Sequence, residues 1–183
     1  CKRFVCTGSQ AEYGPQKGLI TEKTCPHPID AYGSAKLAAC ILTRQRAMDL
    51  GIEWIWGRIF SLYGKYEPAG RMLPELVASL QAGKDFYMQS DGRQNWDYLN
   101  VIDGAEALIA LGEKGRSGEI YNIASGKYKP LKEFIEDIQK VINSEAKVHY
   151  AVDKKALFSL QVNINKIQKD TEWNGNVELY IYH

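Results

Sequence analysis

The sequence predicts an α/β fold built on a parallel sheet, and three observations carry that expectation. Two apolar runs, residues 3–7 and 52–60, bracket one long stretch of helical spacing, so the order is strand, helix, strand, the signature of a βαβ unit. Further short apolar runs alternate in the same way with amphipathic stretches. The composition, 45% hydrophobic and 25% charged over 183 residues, suits a compact domain with one substantial core and excludes a disordered tail.

Residues 3–7 (RFVCT) read as a buried strand already under way beside the first residue, Cys1, so the chain is expected to begin inside a fold. After a polar loop over 14–28, rich in Gly and Pro, Asp30 can cap a helix that Gly51 ends. Its Leu37, Ile41 and Met48 keep helical spacing and are expected to face the core. Residues 52–60 (IEWIWGRIF) then read as a mostly buried strand. Leu73, Leu76, Val77 and Leu80 sit at i, i+3, i+4 and i+7, giving an amphipathic helix closed by Gly83, with a short strand over 86–88. Residues 98–101 predict another strand, with Asp103 placed to start a helix through Leu111. Residues 120–124 are strand-like, and Leu131, Phe134, Ile135, Ile138, Val141 and Ile142 mark the clearest amphipathic helix, followed by a strand over 148–152.

Charge and cysteine content bound the function classes. Lys plus Arg total 23 against 22 Asp plus Glu, a net charge of +1 that predicts neither nucleic-acid nor membrane-surface partners. No apolar stretch approaches the roughly 18 residues of a spanning helix, and CKRFVC lacks the apolar centre of a signal peptide, so the expected location is cytoplasmic. Cys1, Cys6, Cys25 and Cys40 form no CxxC pair and are expected to be free thiols. His27, His149 and His183 are scattered, and no metal site is expected.

The chemistry concentrates between Ser9 and Lys36, where a strand ends in TGSQAEYG and YGSAK opens a helix. Tyr32 and Lys36 are four apart and share a helix face. A phenol serves as an acid or base near neutrality only beside a cation that stabilises the phenolate, and Lys36 is placed to be that cation. Ser9 stands at the carboxyl end of its strand, where parallel sheets form ligand crevices, and its hydroxyl can bind an oxygen being oxidised or reduced.

In this order the motifs resemble the extended short-chain dehydrogenase/reductase family, specifically its NAD(P)-dependent nucleotide-sugar epimerases, dehydratases and reductases. The likeness runs through RFVCTGSQAEYG, DAYGSAKLAA, GRIFSLYG, DGRQNWDYLNVIDGAEAL and GEIYNIASG to about Trp173. The resemblance implies the carboxyl-terminal portion of a doubly wound Rossmann-like parallel sheet plus a small α/β substrate lobe, divided as residues 1–65 and, mainly for the lobe, 66–183. It implies NAD or NADP as cofactor, a nucleotide-sugar substrate, and a homodimer formed by pairing helices. By the same resemblance, Tyr32 matches the catalytic acid/base, Lys36 the lysine that binds the nicotinamide ribose, Ser9 the hydroxyl partner, and Phe60 the cofactor side of the next strand. Substrate contacts fall to Ser9, Gln10, Ser61, Arg71 and Arg93.

Departures narrow the reaction. Where the dehydratases place an acidic pair after the Ser/Thr, this chain has Gln10 and Ala11, neither able to exchange a proton, so epimerase or 4-ketosugar reductase chemistry is expected. Glu12 is one position out of register and is read as structural or solvent-facing, turned away by strand alternation. An Arg that grips the diphosphate is replaced by Trp96, with Arg71 the better compensating cation and Arg93 the second. Ser61 stands where many relatives carry Asn. No GxGxxG or GxxGxxG follows a strand, so the chain by itself is expected to bind dinucleotide poorly and show little activity. NVELYIYH after Trp173 stops where relatives usually add a final helix. The alternative expectation is a non-catalytic relative that binds a ligand or partner.

Overall fold

The structure is a computed structural model that describes residues 1–142, 145–151 and 158–175. The chain opens on β1 (Arg3–Ser9), turns through a 3₁₀ segment (Gln10–Glu12) and the short β2 (Leu19–Ile20), and enters α1 (Ala31–Leu50). Next come β3 (Glu53–Ile59), β4 (Ser61–Tyr63), α2 (Met72–Gln81), β5 (Phe86–Tyr87), β6 (Asn95–Trp96), β7 (Tyr98–Asn100) and α3 (Val101–Lys114). The remainder holds β8 (Glu119–Ile123), β9 (Lys129–Pro130), α4 (Leu131–Ile142), β10 (Val148–His149), β11 (Gln161–Val162) and α5 (Asn165–Thr171).

β1, β3 and β8 form a parallel sheet in that order, with Ser9 opposite Ile59 and Ile59 opposite Ile123. Period-two alternation along β3 sends Trp54 and Trp56 to one face, under α1, and Ile55 to the other, beneath Ala107 and Leu111 of α3. Helices therefore cover both faces, as a buried parallel sheet requires. A second core joins Leu73, Leu76 and Leu80 of α2 to Leu131, Ile135 and Ile138 of α4, the stripes that the periodicity predicts except for Val141, which is exposed near the end of α4.

Asp30 caps α1, its Oδ1 accepting from the Gly33 N–H at 2.7 Å, and Gly51 ends it at φ 62°. The helix nevertheless turns its other side inward. Ile41 is 60% and Met48 67% exposed, while Gly33, Cys40 and Ala47 are buried. The reason is volume: the stacked indoles of Trp54 and Trp56, centroids 5.9 Å apart, fill the seam and leave room only for small helix residues. Asn100, not Asp103, caps α3, accepting from the Ile102 N–H at 2.8 Å, and Asp103 falls in the first turn. The expected strand over 148–152 is seen as Val148–His149; residue 152 and NVELYIYH lie outside the described residues.

Glu12 is fully buried, so of the two expectations, structural or solvent-facing, the structural one holds. The chain coils into a 3₁₀ turn at Ser9, so strand alternation no longer applies. One carboxylate oxygen accepts from the Ser9 N–H and the Trp56 indole N–H, both at 2.9 Å, and the other from Arg58 Nε at 2.8 Å. Arg58, 2% exposed, lies 4.3 Å from the Tyr13 ring centroid, and the Tyr13 hydroxyl donates to Asn122 on β8 at 2.7 Å. The cluster joins the carboxyl ends of all three sheet strands. Gly8 has no room for a side chain beside it, since a Cβ would stand 2.1 Å from Trp56 Nε1.

Glu12→Gln leaves the Arg58 charge buried without its counter-ion and is expected to cost about 3–5 kcal/mol, read from urea unfolding; a loss under about 1 kcal/mol contradicts this account. Burial pushes the Tyr13 phenol from 10.0 up to about 12, with Arg58 opposing the rise. Because the folded value lies above the unfolded one, this stability contribution is intact below the unfolded value and lost as pH climbs through the folded one. Melting profiles across the alkaline range are expected to show a loss that Tyr13→Phe lacks.

Candidate active site

β1 and β3 end side by side, and just beyond their carboxyl ends opens a cleft of about 950 Å³, at the upper end of ordinary ligand pockets. One wall is the Gly8–Ala11 backbone. Ser9 is 8% exposed; its Oγ accepts from the Ala11 N–H at 3.2 Å and caps the 3₁₀ turn, an arrangement that leaves the hydroxyl hydrogen available to a ligand. The opposing wall is the first turn of α1. Lys36 Nζ donates to the Thr7 carbonyl of β1 at 3.0 Å and lies 6.0 Å from the centroid of the Tyr32 ring, which is 58% exposed. The lysine thus staples the helix to the strand while keeping its ammonium beside the phenol.

The two walls approach closely because residue 33 is glycine: a Cβ there would stand 2.4 Å from the Ala11 carbonyl oxygen. Beyond β3 the chain continues along the cleft through Phe60 and Ser61. The Phe60 ring is packed in the core, 6.1 Å from the Tyr13 ring, while the residue's position still borders the cleft.

The far wall is aromatic. Trp96 and Tyr98 flank the cleft with ring centroids 6.3 Å apart, and Tyr63 meets Tyr98 edge-on at 6.3 Å. Asp97, between Trp96 and Tyr98 in sequence, is fully buried and ties this wall to the end of β8, accepting from the Ser125 N–H at 2.8 Å and the Gly126 N–H at 2.9 Å. Burial raises its carboxyl above the usual range, and those backbone bonds oppose the rise. The Trp96 indole N–H is buried without a partner among the described residues.

Of the residues singled out from sequence, Ser9, Gln10, Tyr32, Lys36, Phe60, Ser61 and Arg71 all border this cleft. Arg93 does not; its side chain is 86% exposed and faces Asp91 at 3.8 Å, so the compensating role expected of it is withdrawn. Sequence reasoning missed Tyr63, Lys65, Tyr66 and Tyr98, which also line the cleft. The LYGKYEP run directly after a strand was the available signal. Among the described residues no group of three His, Cys, Asp or Glu side chains could hold a metal, and no helix is long and apolar enough to cross a membrane.

The NAD dependent epimerase/dehydratase family model matches residues 1–124. UDP-arabinose 4-epimerase 1 of Arabidopsis thaliana is 29% identical over 95% of this chain and 47% of its own length. Among solved structures, dTDP-glucose 4,6-dehydratase of Bacillus anthracis in complex with NAD superimposes with a TM-score of 0.83 at 26% identity, covering 94% of this chain and 56% of that one. UDP-glucose 4-epimerase of Thermotoga maritima with UDP-glucose gives 0.87 at 22% identity, covering 97% and 60%. The fold is thereby Rossmann-like α/β, and the chain spans about half the length of the curated relatives it matches.

Gly33→Ala tests the close approach of the two walls. Helix propensity favours alanine by about 1 kcal/mol, but overlap with a backbone oxygen costs about 1–3 kcal/mol. A lower melting temperature is expected, and a higher one refutes the proposed fit.

Proposed function

The chain belongs to the NAD dependent epimerase/dehydratase family, and from that premise we propose that it carries the proton-transfer groups of an NAD(P)-dependent nucleotide-sugar 4-epimerase. In this reading residues 1–65 supply those groups and residues 66–183 mainly the substrate lobe. The observation that carries the reading is the convergence of Ser9, Tyr32 and Lys36 on one cleft at the carboxyl ends of parallel strands.

The donor set suits the nicotinamide-ribose end of a dinucleotide: a phenol, an ammonium and a hydroxyl border a cleft large enough for a sugar beside a nicotinamide. When bound, that cofactor supplies reversible hydride acceptance. The chain's own residues handle the proton. Tyr32 Oη takes the proton of the sugar C4 hydroxyl as that carbon is oxidised and returns it on reduction. Lys36 stabilises the phenolate charge, and the Ser9 hydroxyl donates to the same sugar oxygen and orients it. Arg71 and Ser61 meet the substrate farther along.

Epimerase or 4-ketosugar reductase chemistry is favoured over dehydration because Gln10 and Ala11 border the cleft next to Ser9, while the nearest carboxylate in sequence, Glu12, is held by Arg58. Epimerisation is preferred to reduction on the likeness to the UDP-arabinose epimerase. The outward face of α1, with Ile41, Leu42 and Met48 exposed, supports pairing with a second copy.

In the natural gene product containing these residues, Tyr32→Phe is expected to lower kcat for C4 epimerisation of a UDP-sugar by about 10²–10⁴-fold, with KM nearly unchanged, followed by chromatography of the two epimers. Retained turnover would remove Tyr32 from the mechanism. The 183-residue chain alone, in whose sequence no GxGxxG or GxxGxxG run follows a strand to seat a pyrophosphate, is expected to titrate only weakly with NADH.

A further inference from the structure

Between β4 and α2 the sequence and the backbone disagree. The Glu67 N–H donates to the Gly64 carbonyl at 3.2 Å and closes a turn with Lys65 and Tyr66 at its centre. Tyr66 stands at φ 73°, in a turn position that ordinarily takes glycine or asparagine because a side chain there crowds the backbone. For a bulky aromatic this is an outlier, and such strain persists where the surroundings impose it, most often at ligand clamps and active sites.

Packing does not explain the choice of residue. Tyr66 is 88% exposed, and its recorded ring contact is the Lys65 ammonium, 5.3 Å from the centroid. The base of the turn, by contrast, is fixed. A Cβ on Gly64 would stand 2.6 Å from Val101 Cγ1, so the turn begins pressed against α3. Lys65, Tyr66 and Arg71 border the same cleft as Ser9 and Tyr32, and Arg71 precedes α2 without a side-chain capping bond. An anchored turn therefore holds an aromatic ring out of the protein, beside the Lys65 ammonium, at the edge of a cleft that Arg71 also borders.

We propose that Tyr66 is a ligand-clamping residue that lays its ring on the base of a bound nucleoside diphosphate, with Lys65 and Arg71 meeting the phosphates. The inference rests on the nucleotide-sugar reading above and adds to it the residues that grip the nucleotide. A ring on a strained, anchored turn is already in place before the ligand arrives, so little ordering is required on binding. Cations on the exposed loop are also consistent with Trp96, an indole, on the inner wall, which cannot neutralise a phosphate.

The test is calorimetric titration of the 183-residue chain with UDP, and separately with ADP-ribose, for the wild type, Tyr66→Gly and Tyr66→Phe, with melting temperatures in parallel. Tyr66→Gly relieves the strained φ and is expected to melt about 2–4 °C higher, yet to bind UDP roughly tenfold more weakly. Tyr66→Phe, which keeps the ring, is expected to retain wild-type affinity. Tyr66→Asn tolerates the same backbone and gives the same reading if the glycine variant proves unstable. A glycine variant that melts higher with unchanged UDP affinity overturns the clamp and leaves the nucleotide-sugar reading standing. Weakening confined to ADP-ribose also overturns it, by assigning the ring to cofactor. Failure of the wild type to bind UDP removes the nucleotide-sugar reading and the clamp with it.

Discussion

A carboxylate and a guanidinium, both withdrawn from water, hold the site end of this protein together. Taking Glu12 and Arg58 out of solvent is costly, and mutual attraction offsets that cost only when the remaining lone pairs and N–H groups also find partners. Here the Ser9 amide and the Trp56 indole complete the carboxylate, and the Tyr13 ring covers the guanidinium. Because Ser9 lies on β1, Trp56 and Arg58 on β3, and Asn122, the acceptor for Tyr13, on β8, the network fixes the relative heights at which three strands stop. A crevice at strand ends is only as well defined as those endings.

Close approach then converts defined strand ends into a defined cleft. Gly8 admits the Glu12 carboxylate and the Trp56 indole, and Gly33 lets the first turn of α1 rest on Ala11. Lys36 completes the joint by reaching from the helix to the carbonyl of Thr7. The phenol of Tyr32 and the hydroxyl of Ser9 thus belong to two elements that cannot slide independently, and that rigidity is what the proposed proton relay requires.

Much of this was legible in the sequence, and the misses have physical causes. Runs with a single dominant face read correctly: β1 and β3, the stripes of α2 and α4, and the Asp30 and Gly51 boundaries of α1. The face of α1 did not, because periodicity assumes that large apolar residues point inward, and two tryptophans on the neighbouring strand had already filled the space. Glu12, read as structural or solvent-facing, proves structural; its orientation follows from the 3₁₀ segment that starts at Gln10, a local coil that an alternation rule cannot see. The two-residue strands β2, β6, β9 and β11 are too short for any period; tertiary pairing defines them. The cleft residues Ser9, Tyr32 and Lys36 were found by motif order, whereas Tyr63, Tyr66 and Tyr98, though within or beside recognisable segments, became visible as cleft residues only when the pairing of β4 with β7 brought distant parts of the chain together.

The seam between α1 and the sheet has one more property. Cys40 lies in it, and burial pushes its thiol up to about 11, whereas Cys1 and Cys25 are exposed. Alkylating reagents attack the thiolate, so Cys40 is sheltered both by the indoles around it and by its own protonation. Lifting the helix that bears Tyr32 and Lys36 from the strands would remove that shelter. Labelling of Cys40 therefore reports opening of the wall that carries Tyr32 and Lys36.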